Sequence, residues 1–279
     1  MIYLLKLLLA TLLIVASCTH YVPSDLKTEL TGAAIVLFAD VLLLDFGNYL
    51  HSNWKRFLLI VKCKYLSLSC KYIRFSMAYQ YRIKVNDKYL LVKNSNWDFY
   101  QHVGGKYKRL PHTQHILKEF ESKDDLILKT TGIKKDDLAV YIPAKNAIKF
   151  LDWFNTGENR EISHWREFYE ELIGSNKVLP QNIFPYINYD FVKSIRTPLK
   201  WSSQFKCNEI LQYDILDLIP TQKQQLELEK LFNKGDSEYI KWAKDELIQN
   251  LGYDCQTQKK IYEIGAHTKW VLNLKWSKD

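Results

Sequence analysis

Apolar residues run almost unbroken through two early stretches of the chain and then settle into short alternating blocks. Ile2 to Ser17 is apolar apart from Lys6, and Gly32 to Leu50 is apolar apart from Asp40, Asp45 and Asn48. Each approaches the roughly 20 residues that a membrane-spanning helix needs. The pattern predicts a hairpin of two membrane helices with Thr19 to Gly32 as the outer linker. An aspartate facing lipid at mid-bilayer costs about 3 kcal/mol, so Asp40 and Asp45 should turn toward a partner helix or a wet cavity, Asp45 alternatively snorkelling to the interface. A second reading of the first stretch is a cleaved export signal, since Val15 to Cys18 (VASC) resembles a lipoprotein cleavage box.

Trp54 to Phe75 mixes basic and apolar positions without a clean stripe and reads as a segment along a bilayer surface or as the lead into a strand. From Tyr79 the period becomes two. YQYRIKV, a turn at Asn86-Asp87, and KYLLVKN predict a hairpin, followed by an aromatic strand through DFYQHVGGKYK. Further on, the pattern predicts a helix around His115 to Ser122 and a strand at Leu138 to Ala144. Strands are also expected in IFPYINYDFV, IRTPLKW and NEILQYDILDLIP, with an amphipathic helix from Ser237 to Leu251 and a helix-like start to KKIYEIGAHTKWVL. No repeat or low-complexity linker divides residues 76 to 279, so one α/β domain with a mixed sheet between helices is expected there.

The 279 residues are 47% hydrophobic and 25% charged, ordinary for a folded protein. The net charge of +8 is concentrated in one place: residues 49 to 80 carry six Lys or Arg and no acid. A basic run directly after an apolar span predicts that the downstream chain faces the cytoplasm. The five cysteines are scattered without a C-x-x-C pair, which suggests neither a disulfide framework nor a structural zinc site and fits reduced thiols. No helix-turn-helix or zinc-finger pattern supports a duplex nucleic acid partner.

The sharpest chemistry is Glu158, seven intervening residues, then REFYEEL from Arg166 to Leu172. On a helix Glu167, Glu170 and Glu171 share one face, while Trp165, Phe168 and Leu172 turn inward. Clustered carboxylates suit a hard divalent cation such as Mg²⁺. The spacing reproduces the charged skeleton of a Nudix box. Gly104 and Gly105, upstream, stand where such a domain ends a strand. The box departs from the pattern at its glycines: Asp152 occupies the opening glycine position, and Ile173 the closing one, with Gly174 following.

Together with the apolar pair and the terminal AHTKWVL, the chain resembles the TM-NUDIX effectors of bacterial CBASS antiphage systems, which carry a SMODS-associated NUDIX domain. The resemblance implies an N-terminal transmembrane helical hairpin (1–50), a basic juxtamembrane segment (51–75) and a Nudix-like α/β/α sandwich with a mixed sheet (76–279), interrupted by an insertion at 106–157. It further implies a multi-pass protein of the bacterial inner membrane, its Nudix-like domain in the cytoplasm. The partners would be a cyclic oligonucleotide second messenger and the lipid bilayer, and activation would bring homo-oligomers together to disrupt the membrane. A pocket for such a ligand needs cations and aromatic faces, and Trp97, Lys108, Arg109, Arg160 and His164 lie near the Gly-Gly turn or the box.

Two other readings stay open. In a membrane-anchored Nudix hydrolase of a nucleoside diphosphate derivative, Glu167, Glu170 and Glu171 hold Mg²⁺ while Glu158 braces Arg166. A plain membrane anchor would use the basic run and ignore the box. A non-catalytic sensor is favoured over the hydrolase because the glycines that shape a catalytic loop are missing.

Overall fold

The structure, a computed structural model, describes residues 2–41, 46–125, 136–174 and 177–277. The chain divides into two compact units, Met1–Lys62 and Cys63–Asp279.

In the first unit α1 (Ile2–Ser17) packs on α2 (Ser24–Ala39). Ala10 and Ala34 are fully buried, and side chains this small let helices approach closely. The Lys6 ammonium meets the Asp40 carboxylate at 2.6 Å, so Asp40 has its counter-charge within the hairpin. α3 (Phe46–Ser67) comes next.

These helices correct the expected spanning hairpin. Among the described residues no helix is long and apolar enough to cross a membrane. α1 has 16 residues, about 24 Å at ~1.5 Å per residue, against a hydrocarbon core of roughly 30 Å. α2 also has 16 and begins directly after Pro23, so Asp25, Lys27 and Glu29 fall within its first two turns. α3 is longer, at 22 residues, but carries Lys55, Arg56, Lys62 and Lys64. The expectation of a multi-pass inner-membrane protein falls with the hairpin. Asp45, the second expected membrane carboxylate, lies outside the described residues.

The second unit is built on β1 (Tyr72–Arg82), whose residues are buried on both faces along nearly its whole length. That is expected of a strand flanked on both edges and covered on both sides. The segment expected to precede the domain thus already holds the first residues of β1. β2 (Lys84–Val85), β3 (Lys88–Lys93) and β4 (Tyr100–Lys106) come after it, with Asn86 at a φ of 55° in the first turn. Next come α4 (Thr113–Glu119), β5 (Lys123–Asp124), β6 (Ala139–Pro143) and α5 (Ala147–Thr156). α6 (Trp165–Phe168) widens into a π-helical turn over Tyr169–Gly174. β7 (Asn188–Arg196), β8 (Lys200–Ser202), β9 (Cys207–Ile219), α7 (Gln222–Lys234) and β10 (Ile240–Lys244) lead to α8 (Asp245–Gln249). The short hairpin β11 (Tyr253–Asp254) and β12 (Lys259–Lys260) precedes α9 (Ala266–Asn273).

One edge of β1 pairs in parallel with β9, from Ile73 opposite Asn208 to Arg82 opposite Asp217. The other edge is shared: Tyr72 to Ser76 pair antiparallel with β6, and Ala78 to Tyr81 with β4. The changeover sits at Met77, whose N–H donates to Leu138 and whose carbonyl accepts from Tyr107. β6 lies within the stretch expected as an insertion and is nevertheless a full member of the sheet. β3 and β10 extend the sheet beyond β4, and β7 and β8 extend it beyond β9.

Two layers of helix cover the sheet. On one face Phe150 of α5 packs on Phe75 at 4.7 Å, and Phe168 of α6 packs on Tyr81 at 5.8 Å. On the other, Trp270 and Val271 of α9 cluster with Ile195 and Ile215. The expected α/β/α arrangement with a mixed sheet is present in this unit. Two local expectations change. Ser237 to Leu251 holds a strand, β10, before the short α8, because Ile240 and Trp242 are buried in pairing with β3. The final helix starts at Ala266, after Gly265, and not at Lys259.

Candidate functional site

The alternation of β1 places Phe75, Met77, Tyr79 and Tyr81 under α5 and α6, leaving Arg74, Ser76, Ala78 and Gln80 on the opposite face. This second set floors a cleft of about 1230 Å³. Glu209, Leu211 and Tyr213 of β9 continue the floor, and α9 contributes His267, stacked on Tyr213 with centroids 5.5 Å apart and planes within 3°. Gly265 is required at the mouth of α9, since a Cβ there would press on the rings of Phe99 and His267. Trp97 stands at the rim, 42% exposed.

At one end of the cleft, Arg74 is held by Asp125 at 2.8 Å and Glu209 at 3.2 Å, with its guanidinium 3.6 Å over the ring of Phe205. Lys200 also reaches Glu209, at 3.4 Å. A buried cation paired on two sides and stacked on a ring is fixed in place.

At the other end stand the box residues, and the Gly-Gly pair explains how they fit. Gly104 has a φ of 142°, and any Cβ there would collide with the Tyr79 carbonyl. Its N–H donates to the Glu171 carboxylate at 2.7 Å. The space a Cβ of Gly105 would fill is taken by the carboxylate of Glu167. Each glycine therefore seats one glutamate against β4. Arg166 sits at the hub. It bonds Glu161 through Nε at 2.9 Å and Nη2 at 3.0 Å, and its Nη1 reaches Glu167 at 2.6 Å and Glu170 at 3.3 Å. It also donates to the Lys106 carbonyl at 2.7 Å.

Burial is the main force on Glu167 and Glu171. It pushes the Glu167 carboxyl up to about 7, against the opposing pull of Arg166. Burial, and next the charge of Glu167, raises Glu171 well above the ordinary carboxylate range, with the Gly104 N–H opposing. As placed, the three glutamates do not fit an Mg²⁺ cage. Among the described residues no three acidic, histidine or cysteine side chains converge closely enough to hold a metal. Arg166 takes the charge-balancing position between Glu167 and Glu170, and Glu171 is engaged by backbone. The arrangement presents no open carboxylate triad among the described residues.

The family model of the SMODS-associated NUDIX domain matches residues 72–272. The chain belongs to that family. No curated protein and no solved structure matches it. The match begins at the first residue of β1 and ends within α9, so the cleft and the box both lie inside the SMODS-associated NUDIX domain.

Within that domain the structure brings Gly104, Gly105, Arg166, Glu167, Glu170 and Glu171 to one cleft, joined by Trp97 and Lys108. Lys108 is paired there with Asp137 at 2.6 Å. The other expected residues lie elsewhere. Arg109 bonds Asp124 at 2.7 Å. Arg160 packs over Phe154 and Tyr107, 4.0 and 4.6 Å from their centroids. His164 bridges Tyr107 at 2.8 Å and Tyr189 at 3.0 Å beneath the sheet, where burial lowers its proton affinity. Glu158 is exposed, and the brace of Arg166 is Glu161. Sequence reasoning missed Arg74, Gln80, Tyr213 and His267. The signal for the first two is the polar half of β1's alternation, which faces the cleft.

Proposed function

We propose that this SMODS-associated NUDIX domain is a receptor for a cyclic oligonucleotide, working in the antiphage context its family suggests, and that it senses the ligand without cutting it. The observation that carries the reading is the cleft itself. Its roughly 1230 Å³ exceeds the 300–1,000 Å³ typical of drug-sized sites, which suits a ligand of several nucleotides. Arg74, Lys200, Arg166 and Lys108 line the cleft beside the carboxylates that hold them, and Tyr213, His267 and Trp97 offer ring faces for bases. Non-catalytic sensing is supported by the engagement of all three box glutamates with Arg166 or the Gly104 N–H.

The test is a thermal-shift screen of the full chain against cyclic di- and trinucleotides, with and without Mg²⁺, followed by analysis of the nucleotides after incubation. Specific stabilisation with the ligand recovered intact is the expected result. Mg²⁺-dependent release of mononucleotides, or cleavage of a nucleoside diphosphate derivative, would establish the hydrolase instead.

A further inference from the structure

Helix α3 carries an apolar stripe that becomes visible once its limits are known. The helix ends at Ser67, and within it Trp54, Phe57, Leu58, Val61 and Tyr65 recur at helical spacing, inside an arc of about 100° at ~3.6 residues per turn. Over the longer segment from Trp54 to Phe75 the stripe is hidden, because the residues from Tyr72 onward belong to β1. All five stripe residues are exposed, from 38% at Leu58 to 73% at Tyr65, and the rings of Trp54 and Phe57 stack with centroids 5.6 Å apart. The far side of the helix holds Cys63, which is 2% exposed, and the half-buried Leu59 and Leu66. α3 therefore turns large apolar side chains outward over about 16 Å of its length, at ~1.5 Å per residue. Single exposed apolar residues are ordinary, but a continuous stripe on one helix marks a surface that something covers.

We infer that this stripe docks on the surface of an anionic lipid bilayer, with α3 lying in the plane of the headgroups and not crossing it. The charges select that occupant. Lys55 and Lys62 flank the stripe on one side and Lys64 on the other, all three exposed, and α3 contains no Asp or Glu. A second copy laid stripe to stripe would set these lysines against their own counterparts with no acid to meet them. Protein interfaces favour Trp and Tyr but are depleted in Lys. Anionic headgroups accept the lysines of both flanks at once, while Phe57, Leu58 and Val61 enter the acyl boundary and Trp54 and Tyr65 rest at headgroup level. The charges that bar α3 from spanning a bilayer thus hold it on one. This surface is independent of what the cleft binds.

The experiment is flotation of the full chain with vesicles of phosphatidylcholine alone and of phosphatidylcholine mixed with phosphatidylglycerol. Wild-type protein is compared with the double variants Lys55→Gln/Lys62→Gln and Phe57→Ser/Val61→Ser. Wild type should bind the mixed vesicles at least about 30-fold more tightly than the neutral ones, and the preference should shrink in high salt. Lys55→Gln/Lys62→Gln should weaken binding to the mixed vesicles by about 30-fold, at ~5-fold for each charge removed. Phe57→Ser/Val61→Ser should weaken it by about 100-fold or more, since two side chains leave the acyl boundary. Both pairs lie on an exposed face, so melting temperatures should stay at the wild-type value, and the lysine pair keeps the test decisive if the serine variant fails to fold. Equal binding of wild type to neutral and mixed vesicles, undiminished binding by the lysine variant, or no vesicle binding at all overturns the inference. A wild-type dimer that stays off vesicles and dissociates in Phe57→Ser/Val61→Ser would give the stripe to a second copy instead.

Discussion

Gly104 and Gly105 are adjacent yet do different work, and substitutions separate the two roles. At Gly104 an added methyl meets backbone, the Tyr79 carbonyl, at a φ of 142°; neither can move without breaking the β1–β4 pairing. Gly104→Ala should cost about 3 kcal/mol or more in a denaturant melt. At Gly105 the methyl meets the far end of the Glu167 side chain, which can swing away. Gly105→Ala should cost no more than about 1–2 kcal/mol but detach Glu167 from Arg166. The pH dependence of Glu167 comes from its raised carboxyl, near 7 in the folded state. Below about pH 4.3, the ordinary glutamate value, the group is protonated whether folded or not and contributes its full stability. That stability is lost as pH rises toward 7, where the folded form finally ionises. Glu167→Gln should therefore match wild type near pH 4 and exceed it progressively up to pH 7, by on the order of 3 kcal/mol, with a constant gap above. Melting curves across that range decide it, and a gap that shrinks with pH would contradict the assignment.

Elements differed in how openly the sequence declared them. The β2–β3 turn, β4 and β9 were legible because alternation and a local turn residue agree. The box helix was legible in position, but its π-widening over Tyr169–Gly174 was not, since nothing local distinguishes it from continued α-helix. α7 was available to be read: Thr221 accepts from the Gln224 N–H at 3.4 Å and the Gln224 side chain accepts from the Thr221 N–H at 3.0 Å, a reciprocal cap. Thr221→Ala should cost about 1 kcal/mol, measurable by urea unfolding. β10 was misread as helix because the spacing of Ile240, Trp242 and Leu247 suits either period, and only pairing with β3 selects the strand. The first two helices were misjudged on apolar count. Helix limits are set by caps and breakers, and Pro23 starts α2 early enough to include three charges. The cleft face of β1 could not be assigned locally, since α9, which roofs it, arrives nearly 200 residues later.

At the scale of the whole molecule, Arg166 decides how the acidic end of the cleft is balanced, and the balance can be inverted. With the guanidinium in place, the charges of Glu161 and Glu167 are met from within the protein. Mg²⁺ alone should then shift the melting temperature by no more than salt of equal ionic strength does. Arg166→Gln removes the positive group bonded to three carboxylates, an arrangement whose rupture costs about 2–4 kcal/mol, below the fully buried range because the guanidinium is 22% exposed. In that variant Glu161 and Glu170 lose the guanidinium they share, and a divalent cation gains a site by mass action. The expected outcome is a less stable protein whose melting temperature climbs with millimolar Mg²⁺, while the wild type stays flat. A wild-type protein already stabilised by Mg²⁺ at constant ionic strength would mean that the glutamates rearrange around the ion, and would restore the hydrolase reading on physical grounds.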